Sequence, residues 1–114
     1  MSVVNGSTQV PLRWNYTLSS DPVRSTFFSV RLIDGSLDII GEISGGNPKV
    51  SDRYDYRTRF GISGSELATL IIKKVTVREE AVYLCNLQTD SNLWGYSIRV
   101  IVTGEHCYVY CTNR

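Results

Sequence analysis

Leu70-Ile71-Ile72, Val75 and Glu79-Glu80-Ala81-Val82-Tyr83-Leu84-Cys85 decide how this chain reads, with Arg59-Phe60 a short way upstream. Side chains of an extended strand alternate between faces, so Leu70 and Ile72 share one side. The same rule puts Tyr83 and Cys85 on one side of a second strand, and Leu84, Asn86 and Gln88 on the other. Between the two strands lie Val75 and then Glu79, an acid six positions before Cys85. Two half-buried strands joined by a turn point to an all-β protein.

The chain has 114 residues, enough for one domain. Its composition is that of a globular protein, 42% apolar and 20% charged, with a net charge of +1. That balance leaves out nucleic acid and anionic membrane as partners, since both call for a clustered basic excess. Lys73, Lys74 and Arg78 are the densest basic group and read as a solvated sheet edge. No run reaches the ~20 apolar residues of a membrane span, and the start does not have the form of a signal peptide. Met1 leads directly into strand-like sequence. The expectation is a domain excised from a longer chain, with leader and anchor elsewhere: 1–104 the domain, 105–114 a linker or the start of a next domain.

Turn signals recur about every eight to twelve residues, as in a sandwich of short strands. A first short strand falls near Val3-Val4 and ends at Asn5-Gly6. Further strands are expected at 9–16, 26–33, 37–43, 54–62, 67–73, 81–88 and 94–102. Pro11 is an oddity in the second of these, because proline cannot donate to a sheet ladder. Asp34-Gly35 makes a tight hairpin turn, and Ser44-Gly45-Gly46-Asn47-Pro48 breaks the chain. Residues 18–24 form a loop, and no helix longer than a turn is expected.

The combination Arg59, Leu70-x-Ile72, Val75, Glu79, Tyr83 and Cys85 resembles the second half of a V-type immunoglobulin domain, over roughly a quarter of the chain. The resemblance implies two sheets, here taken as antiparallel, packed face to face. It implies that Val75 plugs the turn and that Tyr83 forms the tyrosine corner, returning its hydroxyl to nearby backbone. Glu79 would pair with Arg59 in an architectural role. The expected strands then take the family letters B (9–16), C (26–33), C′ (37–43), D (54–62), E (67–73), F (81–88) and G (94–102). Two hallmarks are replaced. Trp14 stands where the first cysteine belongs, so the usual B–F disulfide is missing and the indole is expected to fill its space. Phe28 falls where the core tryptophan would sit, an exchange of bulk that packing tolerates. The Gly-x-Gly bulge of antigen-receptor domains is reduced to one glycine in Leu93-Trp94-Gly95-Tyr96, which argues against an antibody or T-cell-receptor chain.

Three cysteines make an odd set. Cys85 is then a small buried apolar side chain. Cys107 and Cys111 pair only if the chain turns between them. In an extended strand they stand ~13 Å apart, beyond the ~7 Å limit for bridging. A turn and a Cys107–Cys111 bridge are the favoured reading over a zinc site, for which only His106 offers a nitrogen.

Little suggests catalysis. His106 beside Glu105 reads as a surface imidazole, and no nucleophile–base–orienter set is present. Gly45-Gly46 lacks the strand-to-helix junction of a phosphate cradle. Asp34, Asp38, Asp52 and Asp55 lack the spacing of a calcium loop. No cofactor or metal site is expected. Asn5-Gly6-Ser7 and Asn15-Tyr16-Thr17 are glycosylation sequons, and Asn15 points outward from the B-strand sheet. Glycans there would leave the G-F-C-C′ sheet as the open face.

Alternation assigns that face Phe27, Ser29, Arg31 and Ile33 from C, Leu84, Asn86 and Gln88 from F, and Ser97, Arg99 and Ile101 from G. Asp90, Asn92 and Leu93 come from the F–G loop, with Trp94 either on the face or in the core. Apolar groups beside Arg and Asn resemble an interface core with a polar rim, against the alternative of ordinary surface apolarity. The resemblance implies a cell-surface module that binds a protein on an opposing cell through this sheet. Trp14 for cysteine, the intact Glu79–Tyr83–Cys85 half and the late cysteine pair are similar to invertebrate allorecognition receptors of colonial cnidarians, whose outer domains bind copies of themselves. The expected partner is the same protein. A heterophilic immune or adhesion receptor and an immunoglobulin-type lectin are the alternatives. The lectin is disfavoured because Asn86, Leu87 and Gln88 follow Cys85 where sialic-acid binders place an arginine.

Overall fold

A computed structural model describes residues 1–14, 23–32, 34–63 and 68–104. The expectations for Asn15, Ile33, His106, Cys107 and Cys111, and for most of the loop at 18–24, lie outside the described residues.

The strands are β1 (Ser2–Val4), β2 (Thr8–Arg13), β3 (Ser25–Arg31), β4 (Leu37–Ser44), β5 (Asn47–Val50), β6 (Phe60–Ser63), β7 (Thr69–Lys74), β8 (Ala81–Gln88) and β9 (Leu93–Thr103). One helical turn, α1 (Tyr56–Arg59), precedes β6, and a 3-10 turn, η1 (Val77–Glu79), precedes β8. They form a six-stranded sheet in the order β1-β9-β8-β3-β4-β5 and a three-stranded sheet in the order β2-β7-β6. Strands β9, β8, β3 and β4 occupy the places expected for G, F, C and C′. The sheets are not wholly antiparallel. β1 runs parallel to β9, Val3 opposite Val102, and after three residues the chain crosses to the other sheet as β2. Pro11 is accommodated because β2 is an edge strand whose one neighbour among the described strands is β7.

Two other expectations need correction. The break at 44–48 is a hairpin: Gly45 and Gly46 take φ of +58° and +80°, and Ser44 pairs with Asn47 to open β5. Two successive left-handed residues suit the twist of a two-residue hairpin, which glycine permits without strain. The strand expected at 54–62 is α1 followed by β6. The Asp55 carbonyl accepts the backbone N–H of Thr58 at 3.0 Å and of Arg59 at 3.2 Å, and the Thr58 hydroxyl at 2.7 Å. Three donors on one oxygen close a turn that extended backbone cannot form.

The core lies between the sheets, with Leu12, Leu70, Ile72 and Phe60 from the smaller and Phe28, Ile40, Tyr83, Cys85, Leu87 and Val100 from the larger. Tyr83 is fully buried and its hydroxyl donates to the Glu79 carbonyl at 2.7 Å. Its ring meets Phe60 edge-on at 5.9 Å, and Phe60 meets Tyr56 at 5.8 Å. Glu79, 2% exposed, accepts from the Thr76 hydroxyl and lies 3.8 Å from Arg59 Nε and 3.7 Å from Arg78 Nε. Arg59 Nε makes no hydrogen bond, so this is a Coulomb contact, backed by the guanidinium lying 4.9 Å over the Phe60 ring. Val75 is completely buried below the turn.

Trp14 follows β2, 4% exposed, and its backbone N–H donates to the Ala68 carbonyl at 3.1 Å, while its indole N–H is buried without a hydrogen-bond partner. Its indole packs on Phe28 at 5.7 Å, and Phe28 is the register partner of Cys85. Cys85 is a free, fully buried thiol. Aromatic bulk therefore occupies this level of the core, and Trp14→Ala is expected to cost about 3–5 kcal/mol of stability. Urea denaturation checks it; an unchanged midpoint would show that the sheets do not meet on this ring.

Burial pushes the Cys85 thiol up to about 12 and, with help from Asp38, the Tyr56 phenol also to about 12. Burial raises Tyr83 as well. Each is an acid whose folded pKa exceeds its unfolded value. Its contribution is therefore complete below the unfolded pKa and is lost as pH rises past it, from about 8.5 for thiol and about 10 for phenol. Unfolding free energy should hold level near neutrality and decline above about pH 9. Cys85→Ala should delay the onset by about one unit, to the phenol range. Urea titrations between neutral and alkaline pH read both effects, and identical onsets would exclude the thiol as a contributor.

Candidate recognition face

Strand register builds the outer face of the larger sheet row by row. Leu93 of β9 stands beside Gln88 of β8 and Ser25 of β3. Next come Gly95, Asn86, Phe27 and Glu42, and below them Ser97, Leu84, Ser29 and Ile39. Alternation along β8 accounts for this: Tyr83, Cys85 and Leu87 are buried, while Leu84 and Asn86 are half-buried and Gln88 is exposed. Gly95 leaves room beside Asn86, since a Cβ there would stand 3.0 Å from Asn86 Oδ1 and press on that side chain.

Phe27, Asn86, Asp90, Asn92 and Leu93 line one open groove of about 680 Å³. Ser29, Leu37, Ile39, Gln88, Thr89 and Ser91 complete it. One wall is apolar, from Phe27, Leu37 and Ile39; the other is amide-rich, from Asn86, Gln88 and Asn92. The loop wall is held from within. Thr89 N–H donates to the Asn92 carbonyl at 2.9 Å, and Asn92 N–H donates to Thr89 Oγ1 at 3.1 Å. Arg24 grips Asp90 with Nε and Nη2, both at 2.9 Å. That guanidinium holds the Asp90 carboxyl below the usual carboxylate range. The lining has no histidine, lysine or cysteine. Among the described residues no three of His, Cys, Asp or Glu are grouped to hold a metal.

The remaining residues named for this face do not join the groove. Arg99 and Ile101 line a smaller hollow of about 250 Å³ with Glu80, and Ile101 pairs with Ser2 of β1 at the far end of β9. Arg31 is exposed opposite Leu37, and Leu84 lies in the Ser29 row without lining the groove. Trp94 faces the core side, paired with Leu87, but stays 42% exposed near the strand's end. Asn5 is exposed in the turn after β1.

Leu37 and Ile39, 49% and 54% exposed, were not foreseen. Between them Asp38 turns inward, 6% exposed. It accepts from Tyr56 Oη at 2.5 Å and from Arg53 Nη1 at 2.9 Å. A polar residue inside and aliphatics outside is the reverse of the usual pattern, and no local sequence signal marks it. The register shift between Phe28 and Ser29 makes room for the inversion.

No protein-family model matches the chain, and no curated protein sequence matches it. Solved structures do. A chain from a study of T cell specificity and activation by the bacterial superantigen toxic shock syndrome toxin-1 aligns over 89% of this chain and 92% of its own, at 17% identity and TM-score 0.69. Murine CRIg aligns over 92% of both chains at 16% identity and TM-score 0.65. The chain has an immunoglobulin-like fold. At such identities the likeness concerns the fold alone, and the face must be judged from its own residues.

In this immunoglobulin-like sandwich the exposure of Leu37 and Ile39 depends on Asp38 staying inside. Asp38→Ala strands the buried Tyr56 hydroxyl, while the exposed Arg53 guanidinium turns to water, at an expected cost of about 1–3 kcal/mol. Chemical denaturation measures it, and a change no larger than that of a surface substitution would show the pin to be idle.

Proposed function

We propose that the chain is an extracellular recognition domain of V-set type, carried by a single-pass cell-surface protein, which binds a protein on an opposing cell through the outer face of β9, β8, β3 and β4. The favoured partner is a second copy of the same protein, so the domain serves self-recognition of the allorecognition kind. The observation that carries this reading is the open groove, in which exposed Leu37, Ile39 and Leu93 stand among amide side chains. Apolar side chains ringed by neutral polar groups match the anatomy of a protein interface. Two sheets already cover the core, so stability does not require these aliphatics to be exposed.

A heterophilic partner of the same kind is the second reading. The amide wall of Asn86, Gln88 and Asn92 beside Phe27 also keeps a saccharide in view, as hydroxyl partners and an aromatic plane suit sugars.

Cells displaying the tethered domain should cluster with one another and stay apart from cells displaying an unrelated immunoglobulin-like domain. Leu37→Asp and Gln88→Arg, both at exposed residues of the groove, should reduce clustering if the variants melt as the parent does. Clustering unchanged by both would move the interface off this face. Absence of clustering alongside capture of a different displayed protein would favour the heterophilic reading.

A further inference from the structure

The outer face holds both a hollow and the side chains to fill one. Ser29 is a short residue set between Leu84 on one neighbouring strand and Ile39 on the other. It is 3% exposed, and its hydroxyl is buried without a hydrogen-bond partner. A serine held that way is costly compared with an apolar residue of similar size, and its small volume leaves the groove floor low. On the rim of the same groove Leu93 and Ile39 stand 69% and 54% exposed.

Charge narrows the occupant. Asp90 is the one charged residue in the lining, and Arg24 neutralises it through two hydrogen bonds. A face that meets its own copy about a twofold axis presents every group to the same set of groups. Uncompensated charge on such a face repels itself; this groove carries none. A strongly acidic or basic partner finds no counter-charge here.

We propose that the hollow over Ser29 is a self-docking pocket, filled in an isologous dimer by the Leu93 and Ile39 side chains of a second copy. The pocket rests on the homophilic reading and gives it an address. Ser29 sets the depth, Leu93 and Ile39 are the knobs, and Asn86 and Gln88 form the polar border.

Sedimentation equilibrium over a wide concentration range tests the pocket. Leu93→Asp and Ile39→Asp replace exposed side chains, so both variants should melt like the parent while self-association weakens roughly tenfold or more. Ser29→Leu should do the same by filling the hollow. Val77→Asp, at an exposed valine on η1, should have no effect. If Ser29→Leu fails to fold, the two aspartate variants decide. A parent that dimerises, with Leu93→Asp and Ile39→Asp dimerising equally well, overturns the pocket and leaves homophilic binding standing. A parent that stays monomeric at millimolar concentration overturns both, and the groove then belongs to another protein or a saccharide.

Discussion

Aromatic packing at one level of the core carries the structure. The Trp14 indole lies on Phe28 at 5.7 Å, and Phe28 sits in register with the free Cys85. A disulfide between sheets acts mainly on the unfolded chain by restricting its loops. An aromatic pair acts on the folded chain instead, through burial and ring contact. The sandwich therefore depends on close fit where a covalent bridge would tolerate looseness. A second aromatic line, Tyr56–Phe60–Tyr83, runs to the Glu79 carbonyl. Tyr83 stands two residues from Cys85 on the core side of β8, so the two lines are neighbours along one strand.

Charge beside the second line is arranged around its rings. Arg59 lies over Phe60 and near Tyr56 while facing Glu79 and, at 3.6 Å, Asp55. Burying Glu79 costs hydration that no single long contact repays. Two arginines, one hydroxyl and a ring beneath the guanidinium share that burden. Arg78 joins Asp55 to Glu79 and so connects α1 with η1. This explains why 54–59 closes into a turn: Asp55 must face both Arg59 and Arg78, which a straight strand would not allow.

The legible part of this fold was the part governed by alternation. In β8 every second residue from Tyr83 is buried, and the phase read from the sequence assigned Leu84, Asn86 and Gln88 to the outer side, where they are. The Asp34-Gly35 turn was legible because glycine is the residue for its φ of +87°. β5 was hidden by Asn47-Pro48-Lys49, which has weak strand preference and forms an edge through a glycine hairpin. α1 was hidden because its cause lies in residues distant along the chain, Arg78 and Glu79. Within the groove, Phe27, Asn86, Asp90, Asn92 and Leu93 were found, whereas Leu37 and Ile39 were not. A polarity rule places Asp38 outside and its neighbours inside, and only Tyr56 and Arg53 reverse that.

Alternation also bears on how such a face can vary. On β8 and β3 the groove side chains and the core side chains are different residues of one strand, so Asn86 or Phe27 can change while Cys85 and Phe28 keep the sheets together. β4 lacks this separation. Ile39 is exposed because Asp38 is buried, and Asp38 is buried because Tyr56 and Arg53 reach it from the other side of the β4–β5 hairpin. Change at Ile39 alters the apolar wall and leaves the core intact; change at Asp38, Tyr56 or Arg53 alters both stability and the wall. On the proposed reading, specificity would diversify along β8, β9 and the loop between them, with the backbone of β4 held in phase by Asp38.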